Sequence, residues 1–208
     1  MLLVLYKLKI PMPKTLIYIL SILTIIITSF KSEKQSDKSE FEMKVETFIN
    51  IFKSDFDESQ NRRFDSKYND IALEKNSNSI WNKTLTLKCK KTFKNNYNQT
   101  VNQTLYLGFH DFETVEKCSQ TFDTLLTCLG TGCQKVNWGE MRKGFKTTPF
   151  IYLKTDKQII FCKISCEHKN DFWDVFKYRL INEFKTDKYK IITSECGGPL
   201  LFKSGRTN

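Results

Sequence analysis

The tightest grouping of reactive side chains in this 208-residue chain is Cys162-x3-Cys166-x-His168. Thiolates and imidazoles are zinc ligand types. In an extended strand, though, Cys162 and Cys166 would stand about 13 Å apart at ~3.3 Å per residue, too far to share one tetrahedral ion without a sharp bend. The same span rules out a disulfide between them. The pattern predicts core-facing cysteines followed by a loop histidine, with no metal site and no cofactor.

Only His110 and His168 offer an imidazole base. His110 precedes Asp111 where a strand gives way to a helix, a place where acid–base groups can sit. Acyl-transfer chemistry also needs a nucleophile and an orienting group. Nothing near His110 resembles Gly-x-Ser-x-Gly or His-Glu-x-x-His. The 23 acidic residues leave paired-carboxylate chemistry open. Gly130-Thr131-Gly132 is too short for a phosphate loop. His110 and His168 are therefore functional candidates without a catalytic assignment.

There is no Cys-x-x-Cys, hence no thioredoxin-type redox pair. Cys128-Leu-Gly-Thr-Gly-Cys133 runs from a helix end through two glycines, which permit the tight path of a short disulfide loop. Cys128 and Cys133 are the disulfide candidates. The competing pairing takes one of them to a distant partner such as Cys89. With seven cysteines in the chain, at least one thiol is free or paired between chains. Cys118 and Cys162 fall on apolar faces and read as small core side chains.

These cysteines matter because of the N-terminus. Residues 15–30 carry no charge and follow Lys7, Lys9 and Lys14. A basic head before a short apolar run is the layout of a secretory signal peptide. Sixteen residues also approach the usual membrane span of ~17–25, so an uncleaved anchor is the other outcome. Residues 1–30 are expected to be signal peptide or anchor, and 31–40 (KSEKQSDKSE) a charged linker. Residues 41–208 then form one globular domain in the periplasm or outside the cell, where disulfides persist.

Removing the three lysines of residues 1–30 leaves 30 basic against 23 acidic residues. The densest basic runs are Lys88–Lys94, Arg142–Lys146 and Arg62-Arg63. Such a balance suits an anionic partner, and export makes nucleic acid an unsuitable one. Asn82-Lys-Thr, Asn98-Gln-Thr and Asn102-Gln-Thr are glycosylation sequons that matter only in a eukaryotic secretory pathway.

The elements that must position these residues follow from periodicity. Phe41, Val45, Phe48, Ile49 and Phe52 predict a helix over 41–53, and Phe64, Tyr68 and Ile71 a short second one. Leu85/Leu87 and Leu105/Leu107/Phe109 alternate and predict a long-looped hairpin. Phe112, Val115, Cys118, Phe122, Leu125, Leu126 and Leu129 predict a helix over 111–129, with Asp111 as N-cap and Gly130 after its end. A short strand is expected at 134–138. Next come a hairpin over 150–166 and a helix near 170–185 burying Trp173, Phe176, Leu180 and Phe184, with Lys177 off the apolar stripe. Strands at 189–193 and 200–203 close the chain. The sum is an α+β fold, an antiparallel or mixed sheet packed by two or three helices. Gln103/Leu105/Leu107/Phe109 echo Gln158/Ile160/Cys162/Ile164, which allows a duplicated ββαβ unit or chance.

Two functional readings follow. The first is an exported, non-enzymatic envelope binding or interaction module whose partner is an anionic envelope component or another protein. Membrane contact would come only through residues 15–30, if uncleaved. The second is an exported enzyme, either a hydrolase using His110 or carboxylates or a thiol-dependent enzyme.

Overall fold

The computed structural model describes residues 38–59, 78–95, 97–130, 133–140, 145 and 147–206. Residues 15–30, Arg62-Arg63 and the helix expected around Phe64 lie outside this set, as does all but Phe145 of the Arg142–Lys146 run. No helix among the described residues is long and apolar enough to cross a membrane.

The described chain runs α1 (Glu40–Ile51), β1 (Phe56–Ser59), β2 (Ser79–Lys94), β3 (Thr100–Phe112), α2 (Val115–Leu126), β4 (Phe150–Lys154), β5 (Gln158–Ile164), a 3-10 turn (Cys166–His168), α3 (Asp171–Phe184), β6 (Lys188–Ser194) and β7 (Leu201–Arg206). The strands form one seven-stranded sheet in the order β1-β2-β3-β5-β4-β6-β7. Every neighbouring pair is antiparallel. The architecture is α+β, a sheet packed by three helices.

Strand alternation divides the core in two. Leu105, Leu107, Phe109, Ile160, Cys162, Ile164, Ile151 and Leu153 project to one face and meet α1 and α3. Phe150, Tyr152, Ile159, Phe161 and Ile192 project to the other and meet α2 with Leu129, Val136 and Phe145. This is the period-two rule applied to a sheet covered on both sides, so the central strands read as near-continuous apolar runs. On the first face Phe48 touches Phe52, Phe109, Phe176 and Phe184 at centroid distances of 5.2–6.4 Å. Edge-to-face packing of this kind adds to the area these rings bury. Trp173, Phe176, Leu180 and Phe184 are all buried there.

Local chemistry sets the helix ends differently from the sequence reading. β3 pairing continues through Phe112, so Asp111 is a strand residue. The N-cap of α2 is Thr114, whose hydroxyl accepts from the Lys117 amide at 3.2 Å. Val115 consequently lies off the stripe and is exposed. Asn170 stands at the N-cap position of α3, but its side-chain oxygen accepts instead from Gln103 Nε2 at 2.8 Å. The strand expected over 134–138 is reduced to an isolated bridge, Leu129 to Gln134. Val136 there spends its amide on the Leu126 carbonyl, closing the end of α2 instead of extending a ladder.

The sequence echo has a simpler origin than duplication. Leu105 pairs with Ile164, Leu107 with Cys162 and Phe109 with Ile160, so the echoing segments are antiparallel neighbours filling one core. The helices after β3 and β5 cover opposite faces. Viewed with the helix toward the reader and the second strand of each hairpin running upward, β2 and β4 fall on opposite sides. The two ββα halves therefore have opposite hands.

Candidate functional site

His110 is 3% exposed, and neither ring nitrogen has a hydrogen-bond partner. The imidazole stacks on the Phe161 ring at 6.1 Å. Burial drives its pKa down from 6.5 to about 4, so the ring is neutral at ordinary pH. Asp111, next in sequence, points to the opposite side of the strand, and its carboxylate accepts from Gln158 Nε2 at 2.9 Å. A general base needs an orienting group and access to substrate. His110 has no orienting partner and is sealed from solvent.

His168 sits in the 3-10 turn, half-buried, its pKa lowered by burial against a smaller opposing pull from Glu167. His110 pairs with Ile159 at the start of β5, whereas His168 follows its end. At ~3.3 Å per residue the strand alone separates them by about 16 Å, and the two histidines do not converge. Among the described residues no group of three or more His, Cys, Asp or Glu side chains is placed to hold a metal ion.

The cysteines resolve into two bridges and three thiols. Cys128 is joined to Cys133, and Cys166 to Cys196. The second bridge ties the 3-10 turn after β5 to the loop after β6, a partnership that only the β4–β6 pairing brings about. Cys118 and Cys162 are free and buried. Burial pushes the Cys118 thiol up to about 12 and the Cys162 thiol well above its usual value. Neither is an activated nucleophile. Cys89 is free and half-buried.

Beside the second bridge, Glu195 receives Lys177 at 2.5 Å and Lys169 at 2.9 Å. Burial opposes ionisation of Glu195, but the hydrogen bonds from the two lysines outweigh it and lower its pKa. Lys177 also contacts Asp174 at 2.8 Å and lies over the Trp173 ring at 5.2 Å. Although off the apolar stripe, it is a tethered residue and not a free surface lysine.

The basic run Lys88–Lys94 acquires a definite shape. β1 accompanies β2 only as far as Cys89, and β5 accompanies β3 only from Leu105. Beyond those residues the β2–β3 hairpin continues as a two-stranded arm with no strand on either side among the described residues. Its base is fastened: Lys90 Nζ donates to the Lys53 and Ser54 carbonyls at 2.8 and 3.3 Å, and Gln103 donates to Asn170. At its tip the Asn95 side-chain oxygen accepts from the Tyr97 and Gln99 amides at 3.0 and 2.9 Å, and Tyr97 is 74% exposed. Lys91 and Lys94 on the arm and Lys88 just before it are exposed, and none has an ion-pair partner among the described residues. From Thr84 to His110 the chain has four lysines and no acid. That acid-free stretch was the readable signal for the arm.

No protein-family model, curated protein or solved structure matches the chain.

Proposed function

We propose that the chain is an exported, non-enzymatic binding module that contacts an anionic component of the cell envelope through the β2–β3 arm. The observation that carries this reading is the arm itself. It holds Lys91 and Lys94, neither with a carboxylate partner among the described residues, beyond the flanking strands, with an exposed tyrosine at a tip organised by internal hydrogen bonds. A pre-ordered tip loses little conformational freedom on binding. Unpaired lysines give long-range attraction to a polyanion. Two disulfides fit an oxidising compartment, and a sealed, unpartnered His110 argues against the hydrolase alternative.

Export is tested by fusing residues 1–40 to a reporter active only outside the cytoplasm; a reporter confined to the cytoplasm removes the compartment from the proposal. Binding is tested by retention of the full-length protein on an anionic and a neutral polysaccharide matrix. The double substitution Lys91→Glu/Lys94→Glu should lower the salt needed for elution from the anionic matrix only. Equal elution of variant and wild type would overturn the role of the arm.

A further inference from the structure

A second set of lysines lies at the opposite end of the sheet, contributed by strands far apart in sequence. Lys154 on β4 pairs with Lys190 on β6, and Lys190 pairs with Ser204 on β7. Lys188 stands two residues before Lys190 on the same side of its strand. Tyr152 and Ile192, each two residues from one of these lysines, belong to the core under α2, so all four side chains project from that face. They border a depression of about 280 Å³.

The ammonium groups there are under-used. Among the described residues Lys154 Nζ donates only to the Thr155 carbonyl, at 3.1 Å. Lys190 Nζ lies 4.8 Å from the centre of the Trp138 ring. Lys188 is exposed, and its ammonium group has no partner among the described residues. Asp156 stands on the rim but pairs with none of the three. Like charges directly opposite on neighbouring strands destabilise a sheet, and adjacent strands are only ~4.8 Å apart. The Lys154–Lys190 pair is an instance of this repulsion that a bound anion would reverse.

We propose that this depression binds a tetrahedral oxyanion: a phosphate or sulfate group, free or at the end of a larger ligand. Three lysines on two strands, with a serine hydroxyl on a third, present point-like donors from separate directions. A tetrahedral anion has enough oxygens to meet them together, whereas a planar carboxylate has two. The volume falls at the lower limit for small-molecule sites, which suits one compact charged group. The site shares no residue with the arm and stands or falls independently of it.

The test is a titration of the full-length protein with sodium phosphate, sodium sulfate and sodium acetate against sodium chloride at matched ionic strength. It is followed by amide resonances of Thr155, Tyr189 and Ser204 and by tryptophan fluorescence, with Trp138→Phe identifying the contribution from beside Lys190. Phosphate, sulfate or both should give saturable changes absent with chloride. If only phosphate does so, the ligand is a phosphate group; if both do, the site reads shape and charge. Lys188→Gln and Lys154→Gln should each weaken binding about tenfold, one charge-assisted hydrogen bond. Lys203→Gln, an equal charge change on the opposite face of β7, should leave it unchanged. Non-saturable changes, acetate binding as tightly as phosphate, or lysine variants that titrate like wild type would each overturn the proposal.

Discussion

Gly108 on β3 lies directly opposite Phe161 on β5, and the Phe161 ring fills the space a side chain at 108 would need. A Cβ built on Gly108 would come within 2.2 Å of the ring. The ring also stacks on His110, two residues along β3 from Gly108, at 6.1 Å between centroids. Gly205 and Tyr189 repeat the arrangement on β7 and β6, with a closest approach of 2.5 Å. In both cases an aromatic ring covers the glycine of its cross-strand partner, restoring the packing that glycine alone would forgo.

Gly108→Ala should therefore overpack the core and cost about 1–3 kcal/mol. Chemical denaturation of the single variant, of Phe161→Leu and of the double variant checks the cause. The double variant should lose less than the sum of the singles, because the clash needs both residues. Full additivity would detach the glycine from the ring.

His110 makes stability depend on pH. Its folded-state pKa of about 4 lies below the ordinary 6.5, so the unfolded chain takes up the proton first as pH falls. The contribution is intact above pH 6.5 and is lost between 6.5 and 4. Integrated over that window it amounts to roughly 3 kcal/mol. His110→Leu should be near neutral at pH ~7, since it removes two unpartnered polar atoms. It should also flatten the decline in that window. Denaturation midpoints of both proteins across the range decide the matter; an unchanged slope in the variant would assign the decline elsewhere.

Trp173 and Lys177 test the α3 face together. Trp173→Ala should cost about 3–5 kcal/mol as a large buried ring is removed. Lys177→Ala should cost about 1–2 kcal/mol, because it releases a half-buried ion pair and a cation–π contact. The loss at Lys177 should shrink in a Trp173→Leu background, measured by the same denaturation series.

Much of this fold was legible in the sequence, and what was missed has common causes. Helix faces and strand alternation are local, so Phe48, Phe122, Trp173 and Ile160 declared their burial by spacing alone. Asp111 misled because cap preference is a local rule, and the β3–β5 pairing that overrode it is not. The tether on Lys177 could not be read from spacing because its partner Glu195 is 18 residues away, past β6. The lysines at 154, 188 and 190 were invisible as a group for the same reason: strand order, not spacing, makes them neighbours.

The thiol inventory is a direct check on the bridges. Non-reducing peptide mapping should join Cys128 to Cys133 and Cys166 to Cys196, and denatured protein should give three reactive thiols. Cys118 and Cys162 should label only after unfolding. The Cys166–Cys196 bridge spans 30 residues and the other 5. In the chain-entropy model the longer loop contributes about 3–4 kcal/mol and the shorter about 2. Cys196→Ser should therefore lower the unfolding midpoint more than Cys133→Ser.

The two hydrophobic cores share their strands, and that sharing governs how the molecule comes apart. Residues 150–153 and 159–162 alternate between the two clusters, so neither can dissolve without withdrawing side chains from the other. Heat should accordingly produce one calorimetric transition despite two separate cores. Amide exchange should divide along another boundary. β3 from Leu105 onward and β5 should exchange only when the whole domain opens, while the arm, with no neighbouring strand among the described residues, should fray and exchange far sooner.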